Sequence, residues 1–239
     1  RNFKMILAVW SGPRNLSTTL MYSFGSRTDF SIWDEPYYAA YLKKTGLNHP
    51  MRKEILETGI QDPKTVQSAC ISKNGEGRPN FYQKHQTHHM LADFDRSWIT
   101  DVTNVFLIRH PARVISSYEK KREDPTLEDI GFKQQAEILD FVCQKTGKKP
   151  PIIDSYNVRK NPEKELRILC STIGLSYDPK MLHWPSGGHK NDGVWASHWY
   201  NSVWNSTGFL PQEGPLPSLT PKMQALCDKA LPFYEKMCI

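Results

Sequence analysis

The sequence predicts an α/β fold: three layers, with a mostly parallel sheet whose strands are joined by crossover helices. Three observations predict it. Short, largely apolar runs recur at Met5–Val9, Phe30–Trp33, Asn104–Ile108 and Pro151–Asp154, each too short for a core helix and suited to a buried strand. Between them apolar residues recur at helical spacing, as in Leu16, Leu20 and Phe24, the stripe of a helix packed on a core. Strand and helix signals alternate in this way from Met5 to Gly174, which is how crossover connections build a parallel sheet.

Taken in order, Met5-Ile6-Leu7-Ala8-Val9 is the first strand, and Gly12 to Thr18 turns the chain into a helix carrying Leu16, Leu20, Met21 and Phe24. Phe30–Trp33 is a second strand ending in Asp34-Glu35-Pro36. Residues 37–80 lack a clean period: Tyr37 to Leu42 is aromatic and helical, and Pro63, Gly75, Gly77 and Pro79 break the remainder. They form either a helical insertion that covers a substrate or a set of surface helices. Phe81–Lys84 is a short strand ending in Lys84-His85. Asn104–Ile108 ends at Arg109-His110-Pro111, and Pro111 suits the first turn of a helix with Val114, Ile115 and Tyr118 on one side. Gly131 to Lys145 is amphipathic through Phe132, Ala136, Leu139 and Cys143, and stops near Gly147. Pro151–Asp154 is a further strand, and a helix from Pro162 carries Leu166, Leu169, Cys170 and Ile173 to a stop at Gly174. Beyond it the texture changes to Trp, Gly, Pro, Ser and His, so 185–215 is expected as an irregular loop that covers a ligand or plugs one edge of the core. Thr220-Pro221 caps a last helix, with Met223, Leu226, Ala230 and Phe233 inward. All 239 residues are expected in one domain, long enough to bury a sizeable core.

Composition narrows the function classes. The formal net charge of +6 fits an acidic ligand, yet no basic block is interleaved with aromatics, which argues against nucleic acid. No apolar run approaches the ~20 residues of a membrane helix. The five cysteines are odd in number and contain no Cys-x-x-Cys, the usage of reduced thiols in a cytoplasmic protein. No secretory signal is visible, and the chain opens at Arg1 rather than Met, as after removal of a leader or tag. The triplets at Asn15 and Asn205 match a glycosylation pattern; the first lies in the strand-to-helix turn, so it is a chance match.

Several residues stand where chemistry is done. The turn Gly12-Pro13-Arg14-Asn15-Leu16-Ser17-Thr18 offers free helix N–H groups, hydroxyls and a guanidinium, which suits a phosphate or sulfate; the simpler alternative is a βα loop capped by Asn15 or Ser17. Glu35 stands at a strand's carboxyl end, where ligands gather in open α/β sheets, or is a strand-end carboxylate in solvent. Lys84 and His85 put a cation and a base at another strand end. His85, His88 and His89 fall within five residues, but no helix-borne Glu lies between His85 and His89 and no third ligand is evident, so no metal is expected. Arg109 ends a strand, and Ser117, taken alone, is a helix-surface serine. Gly187 to Trp195 embeds Lys190, Gly193 and Trp195 in a loop that either stacks on a ligand or packs an aromatic cluster.

Two of these stretches carry a resemblance. Pro13-Arg14-Asn15-Leu16-Ser17-Thr18-Thr19 resembles the 5′-phosphosulfate loop of sulfotransferases, commonly Pro-(Lys/Arg)-Ser-Gly-Thr-(Thr/Ser). Arg109 to Tyr118 resembles their 3′-phosphate motif, an Arg followed eight residues later by Ser and then Tyr. Each motif follows a predicted strand, and the likeness spans roughly Met5 to Tyr200. The resemblance implies a P-loop-NTPase-like sulfotransferase fold with 3′-phosphoadenosine 5′-phosphosulfate (PAPS) as donor, 3′-phosphoadenosine 5′-phosphate (PAP) as product and no metal. By position, Arg14 matches the cation on the bridging and sulfuryl oxygens, Gly12 to Thr18 the 5′ cradle, and Arg109 with Ser117 the grip on the 3′-phosphate. Lys190, Gly193 and Trp195 resemble the family's C-terminal Lys-Gly-x-x-Gly loop with altered spacing. Leu16 departs from the family's usual Gly, and Ser155 from a Tyr that touches adenine. For the base that accepts the acceptor's proton, Glu35 ranks first and His85 second, with Lys84 assisting Arg14. The acceptor is expected to be a small molecule bearing a hydroxyl or amine. A P-loop kinase, with Asp154 holding magnesium, and a non-catalytic nucleotide-binding protein are the alternatives.

Overall fold

The computed structural model describes residues 4–72, 77–121 and 123–238; Arg1 and the expected breaker Gly75 lie outside them. Five strands, β1 (Met5–Ser11), β2 (Phe30–Asp34), β3 (Asn80–Gln86), β4 (Thr103–Ile108) and β5 (Ile152–Asp154), form one sheet in the order β2-β3-β1-β4-β5, with every pairing parallel. The helices are α1 (Ser17–Gly25), α2 (Tyr38–Thr45), α3 (Arg52–Thr58), α4 (Pro63–Ser72), α5 (Pro111–Lys120), α6 (Leu127–Ile130), α7 (Phe132–Thr146), α8 (Ser155–Lys160), α9 (Pro162–Thr172), α10 (Ala196–Trp199), α11 (Asn201–Trp204) and α12 (Pro221–Cys238).

The period-2 alternation of each strand distributes side chains to two cores. Leu7 and Val9 of β1, with Val105 and Leu107 of β4, pack under α1 and α9. Ala8 and Trp10, with Phe106 and Ile108, pack on the opposite face against α4, α5, α7 and α12. A sheet covered on both faces needs apolar residues at successive positions, which is why these strands read as near-continuous apolar runs. Fully buried residues such as Leu7 and Leu107 each contribute about 1.5–3 kcal/mol by leaving water.

Three features fix the end of β1 where the site lies. The Gln135 side chain of α7 is buried and donates from Nε2 to the carbonyls of Trp10 (2.9 Å) and Leu107 (2.8 Å), tying β1 to β4. Gly12 passes so close to the chain at α6 that a Cβ there would sit 2.5 Å from the Ile130 carbonyl oxygen. Gly131, joining α6 to α7 with φ 72°, lies on the other side of that approach.

Residues 37–80 carry α2, α3 and α4 and enter both cores, through Tyr41 and Leu42 on one face and Val66 and Cys70 on the other. The 185–215 stretch is partly helical, at α10 and α11. Thr220 precedes α12, but its hydroxyl donates to Glu119 (2.6 Å). None of the five cysteines forms a disulfide, and no described helix is long and apolar enough to cross a membrane.

Candidate active site

A cavity of about 430 Å³ opens beyond the carboxyl ends of β1, β2 and β3. One wall is the turn between β1 and α1. Arg14 (φ 62°) and Leu16 (φ 73°) both take the left-handed backbone there, which costs a non-glycine residue about 1–2 kcal/mol. Leu16, standing where glycine is usual in the resembled loop, therefore keeps the conformation that glycine takes most cheaply. No side chain caps α1, which excludes the simple capped loop. The first N–H groups of α1 and the positive end of its dipole face the cavity beside Ser17 and Thr18. Asn15 is 1% exposed, and neither its Nδ2 nor its Oδ1 has a partner among the described residues. Buried polar atoms are rarely left so unless a ligand or water completes them. The Arg14 guanidinium lies 4.0 Å over the Tyr118 ring, donates to Ser117 Oγ (3.2 Å) and pairs with Glu123 (2.7 Å).

The facing wall is a buried charge cluster. Lys84 Nζ sits 2.8 Å from Glu35 Oε1, 3.1 Å from Asp34 Oδ1 and 2.5 Å from the Tyr200 hydroxyl. Tyr200 in turn donates to Asp34 Oδ2 (2.7 Å) and accepts from Trp195 Nε1 (3.0 Å). Burial, opposed by Lys84 and reinforced by Glu35, pushes the Asp34 carboxyl up to about 6. Burial alone lowers the pKa of Lys84, but Asp34 and Glu35 outweigh it and hold the ammonium above its ordinary value. Glu35 has φ 43°, so its carboxylate is turned into the cavity by a strained end to β2. Arg14, Leu16 and Glu35 are three of the four left-handed non-glycine residues among the described positions, and all three line the cavity. Strain of this kind clusters at functional sites.

The structure corrects the placing of His85. β3 extends to Gln86, so His85 lies inside the strand. Lys84 and Gln86 point into the cavity, and alternation sends His85 to the other face, where it stacks on Trp10 at 4.4 Å and bonds Gln83 Oε1 at 2.9 Å. Burial drives its pKa down to about 3. His85 is therefore a core histidine, and Gln86 holds the place expected of it. Strand periodicity, with Lys84 taken as facing the ligand, is the signal that identifies Gln86. His88 and His89, set aside with the metal pattern, do line the cavity, and each has an unpartnered Nδ1 among the described residues. Burial lowers His88 to about 4. His89 stacks on Tyr38 at 4.4 Å. Among the described residues no group of three or more His, Cys, Asp or Glu could hold a metal ion.

The remaining expected site residues lie off the cavity wall. Gly12 serves the close backbone approach described above. Arg109, at the end of β4, donates to the Arg14 carbonyl (2.7 Å) and pairs with Glu213, while Ser117 accepts from Arg14. Gly193 N–H donates to Asp34 Oδ2 (3.1 Å), and Trp195 packs edge-on to Tyr38 at 5.1 Å. Their loop thus supports the charge cluster from behind, and Lys190 is exposed on it. Asp154, the alternative magnesium ligand, caps α8 through Tyr156 N (2.9 Å) and accepts from Tyr234 (2.8 Å).

Fold and cavity define a parallel α/β protein with an anion-ready turn opposite a buried acid–lysine cluster. A profile of the sulfotransferase domain matches residues 4–239, and the chain belongs to that family. It is 35% identical over 231 residues to branched-chain-amino-acid aminotransferase-like protein 2 of Arabidopsis thaliana and 34% identical over 234 residues to protein 1 of the same name. Those matches cover 96% of this chain but only 40% and 41% of the plant proteins. Among solved structures, the sulfotransferase domain of the Synechococcus PCC 7002 olefin synthase superposes with a TM-score of 0.57 at 16% identity, covering 96% of this chain and 95% of its own. The sulfotransferase domain from the curacin biosynthetic pathway gives 0.57 at 16%, covering 96% and 98%. A sulfotransferase from Alicyclobacillus acidocaldarius gives 0.55 at 12%, covering 98% and 94%. At these identities the likeness is one of fold.

Proposed function

We propose that the chain transfers a sulfuryl group from PAPS to a hydroxyl or amine of a small-molecule acceptor, without a metal. The observation that carries this reading is the meeting, across one cavity, of the Arg14 turn and the Glu35–Lys84 cluster, each bought with strained backbone. The fit of the turn to a phosphosulfate rests on the unpartnered Asn15 amide, the open N-terminus of α1 and the Ser17 and Thr18 hydroxyls. PAPS supplies an activated sulfuryl group on a phosphate leaving group. Arg14 neutralises charge on that leaving phosphate, helped by the α1 dipole, and such preorganised electrostatics dominate group transfer of this kind. Glu35 takes the acceptor's proton at its carboxylate, and Lys84 keeps that carboxylate oriented. Gln86, His88 and His89 are neutral at pH 7 and orient the acceptor by hydrogen bonds. Five cysteines without a disulfide fit a cytoplasmic setting.

The test is incubation of the chain with PAPS and a panel of alcohols, phenols and amines in chelator, with PAP and sulfated product read by mass spectrometry. Turnover that persists in chelator and falls in Glu35→Gln supports the proposal. Formation of product only with added magnesium, or equal turnover in Glu35→Gln, overturns it.

A further inference from the structure

Three arginines converge on one carboxylate beside the cavity. Glu213 Oε1 pairs with Arg109 and, at 2.8 Å, with Arg159; Glu213 Oε2 reaches Arg113 Nε only at 3.5 Å and has no hydrogen bond among the described residues. The group is largely buried, with side-chain exposures of 18%, 17%, 11% and 8% for Arg109, Arg159, Arg113 and Glu213. Three guanidiniums against one carboxylate leave an excess of positive charge out of water, an arrangement that costs stability unless more negative charge completes it. A phosphate monoester carries about −1.5 to −2 at pH 7 and three acceptor oxygens, so it matches the cluster in charge and in acceptor number better than Glu213 does.

Glu213 sits on a strap with no helix or strand between Trp204 and Pro221. The strap is held by the same arginines, through Arg159 Nε to the Pro211 carbonyl (2.8 Å) and Arg113 to the Gly214 carbonyl (2.7 Å), and by Gln212 to the Tyr156 hydroxyl (2.8 Å). Phe209 and Leu219 anchor the strap to the two cores, but between them Leu210 and Leu216 are 49% and 52% exposed, so little apolar packing opposes movement of 210–216. Arg109 also donates to the Arg14 carbonyl, which joins this cluster to the 5′ turn.

Resting on the donor assignment above, which already gives Arg109 to the 3′-phosphate, we propose that Arg113 and Arg159 complete that site, that Glu213 closes it, and that the 3′-phosphate of the donor displaces Glu213 and with it the 210–216 strap. Arg113 and Arg159 are then donor-binding residues, and Glu213 is an internal competitor for the 3′-phosphate alone, so a ligand without one leaves it in place.

The test is calorimetric titration of PAP and of AMP, which lacks the 3′-phosphate, into the wild-type chain, Glu213→Gln and Arg159→Ala. Removing the competing charge is expected to tighten PAP about tenfold in Glu213→Gln, and losing one guanidinium to weaken it about tenfold or more in Arg159→Ala. AMP affinity is expected to change little in both. A measurement on the wild-type chain stands beside the variants: PAP, but not AMP, is expected to speed cleavage after Glu213 by a glutamate-specific protease. Equal PAP affinity in the wild type and both variants, with no PAP effect on cleavage, overturns the inference while leaving the donor assignment standing. Absence of PAP binding in every form overturns the donor assignment and the inference together.

Discussion

Lys84→Met removes the only cation in contact with Asp34 and Glu35 among the described residues and keeps a side chain of similar length. Lys84 and Asp34 are each 1% exposed and Glu35 is 8% exposed, so neither carboxylate recovers its solvation. Breaking a buried ion pair from one side costs about 3–5 kcal/mol, and that loss is expected at pH 8. It shrinks on acidification. Asp34 already stands at about 6 with Lys84 present, and without the cation it binds a proton at higher pH still. The folded state then binds more protons than the unfolded one, so falling pH returns about 1.4 kcal/mol per unit while Asp34 is being protonated. Urea unfolding followed by tryptophan fluorescence at pH 8 and pH 5 measures both numbers. Lys84→Met/Asp34→Asn is expected to recover part of the pH 8 loss. A loss below about 1 kcal/mol at both pH values, with no effect of the second substitution, refutes the buried cluster.

Glu35→Gln lowers kcat/KM by about 10²–10⁴-fold, the size of a general-base contribution, without changing PAP affinity; equal loss in kcat/KM and PAP affinity contradicts the assignment. His85→Gln stays within about threefold of wild-type kcat/KM because the imidazole is on the far side of β3, and a hundredfold loss restores His85 as the base. Gly12→Ala costs about 1–3 kcal/mol by overpacking against the Ile130 carbonyl, read as a lower melting temperature; an unchanged value contradicts that close approach. Stability falls as pH drops from 6.5 towards 4, since the pKa values of His85, His88 and His89 are depressed by burial and their stabilising neutrality is lost on the way down. Asp34, raised by burial, opposes this between pH 6 and 3.8, so these four groups together contribute a slope of about 3 kcal/mol per pH unit. A flat urea midpoint from pH 7 to 5 contradicts the buried neutral histidines.

The sheet was legible because burial on both faces forces continuous apolar runs such as Val105 to Ile108, and the helices because their stripes face a core. The Arg14 turn was legible from its residue types in a strand-to-helix junction. The exact end of β3 was not. Polar His85 and Gln86 extend the strand because each finds a buried partner on another element, Trp10 for His85 and Glu35 for Gln86, and a two-residue error there reassigns which side chain meets the ligand. The contribution of Tyr200 and Trp195 to the charge cluster was equally hidden, since both come from a stretch without periodicity, more than 150 residues beyond Asp34. Glu213 carries no local signal at all; only the fold brings it to Arg109, Arg113 and Arg159.

Calorimetric titration of PAP into the metal-free chain, beside ATP with magnesium and with Arg14→Ala in parallel, tests the donor site directly. Micromolar PAP binding without metal is expected, weakened about tenfold or more in Arg14→Ala as a charge-assisted contact is lost. Failure of PAP to bind, with ATP binding only when magnesium is present, contradicts a PAPS donor site at the Arg14 turn.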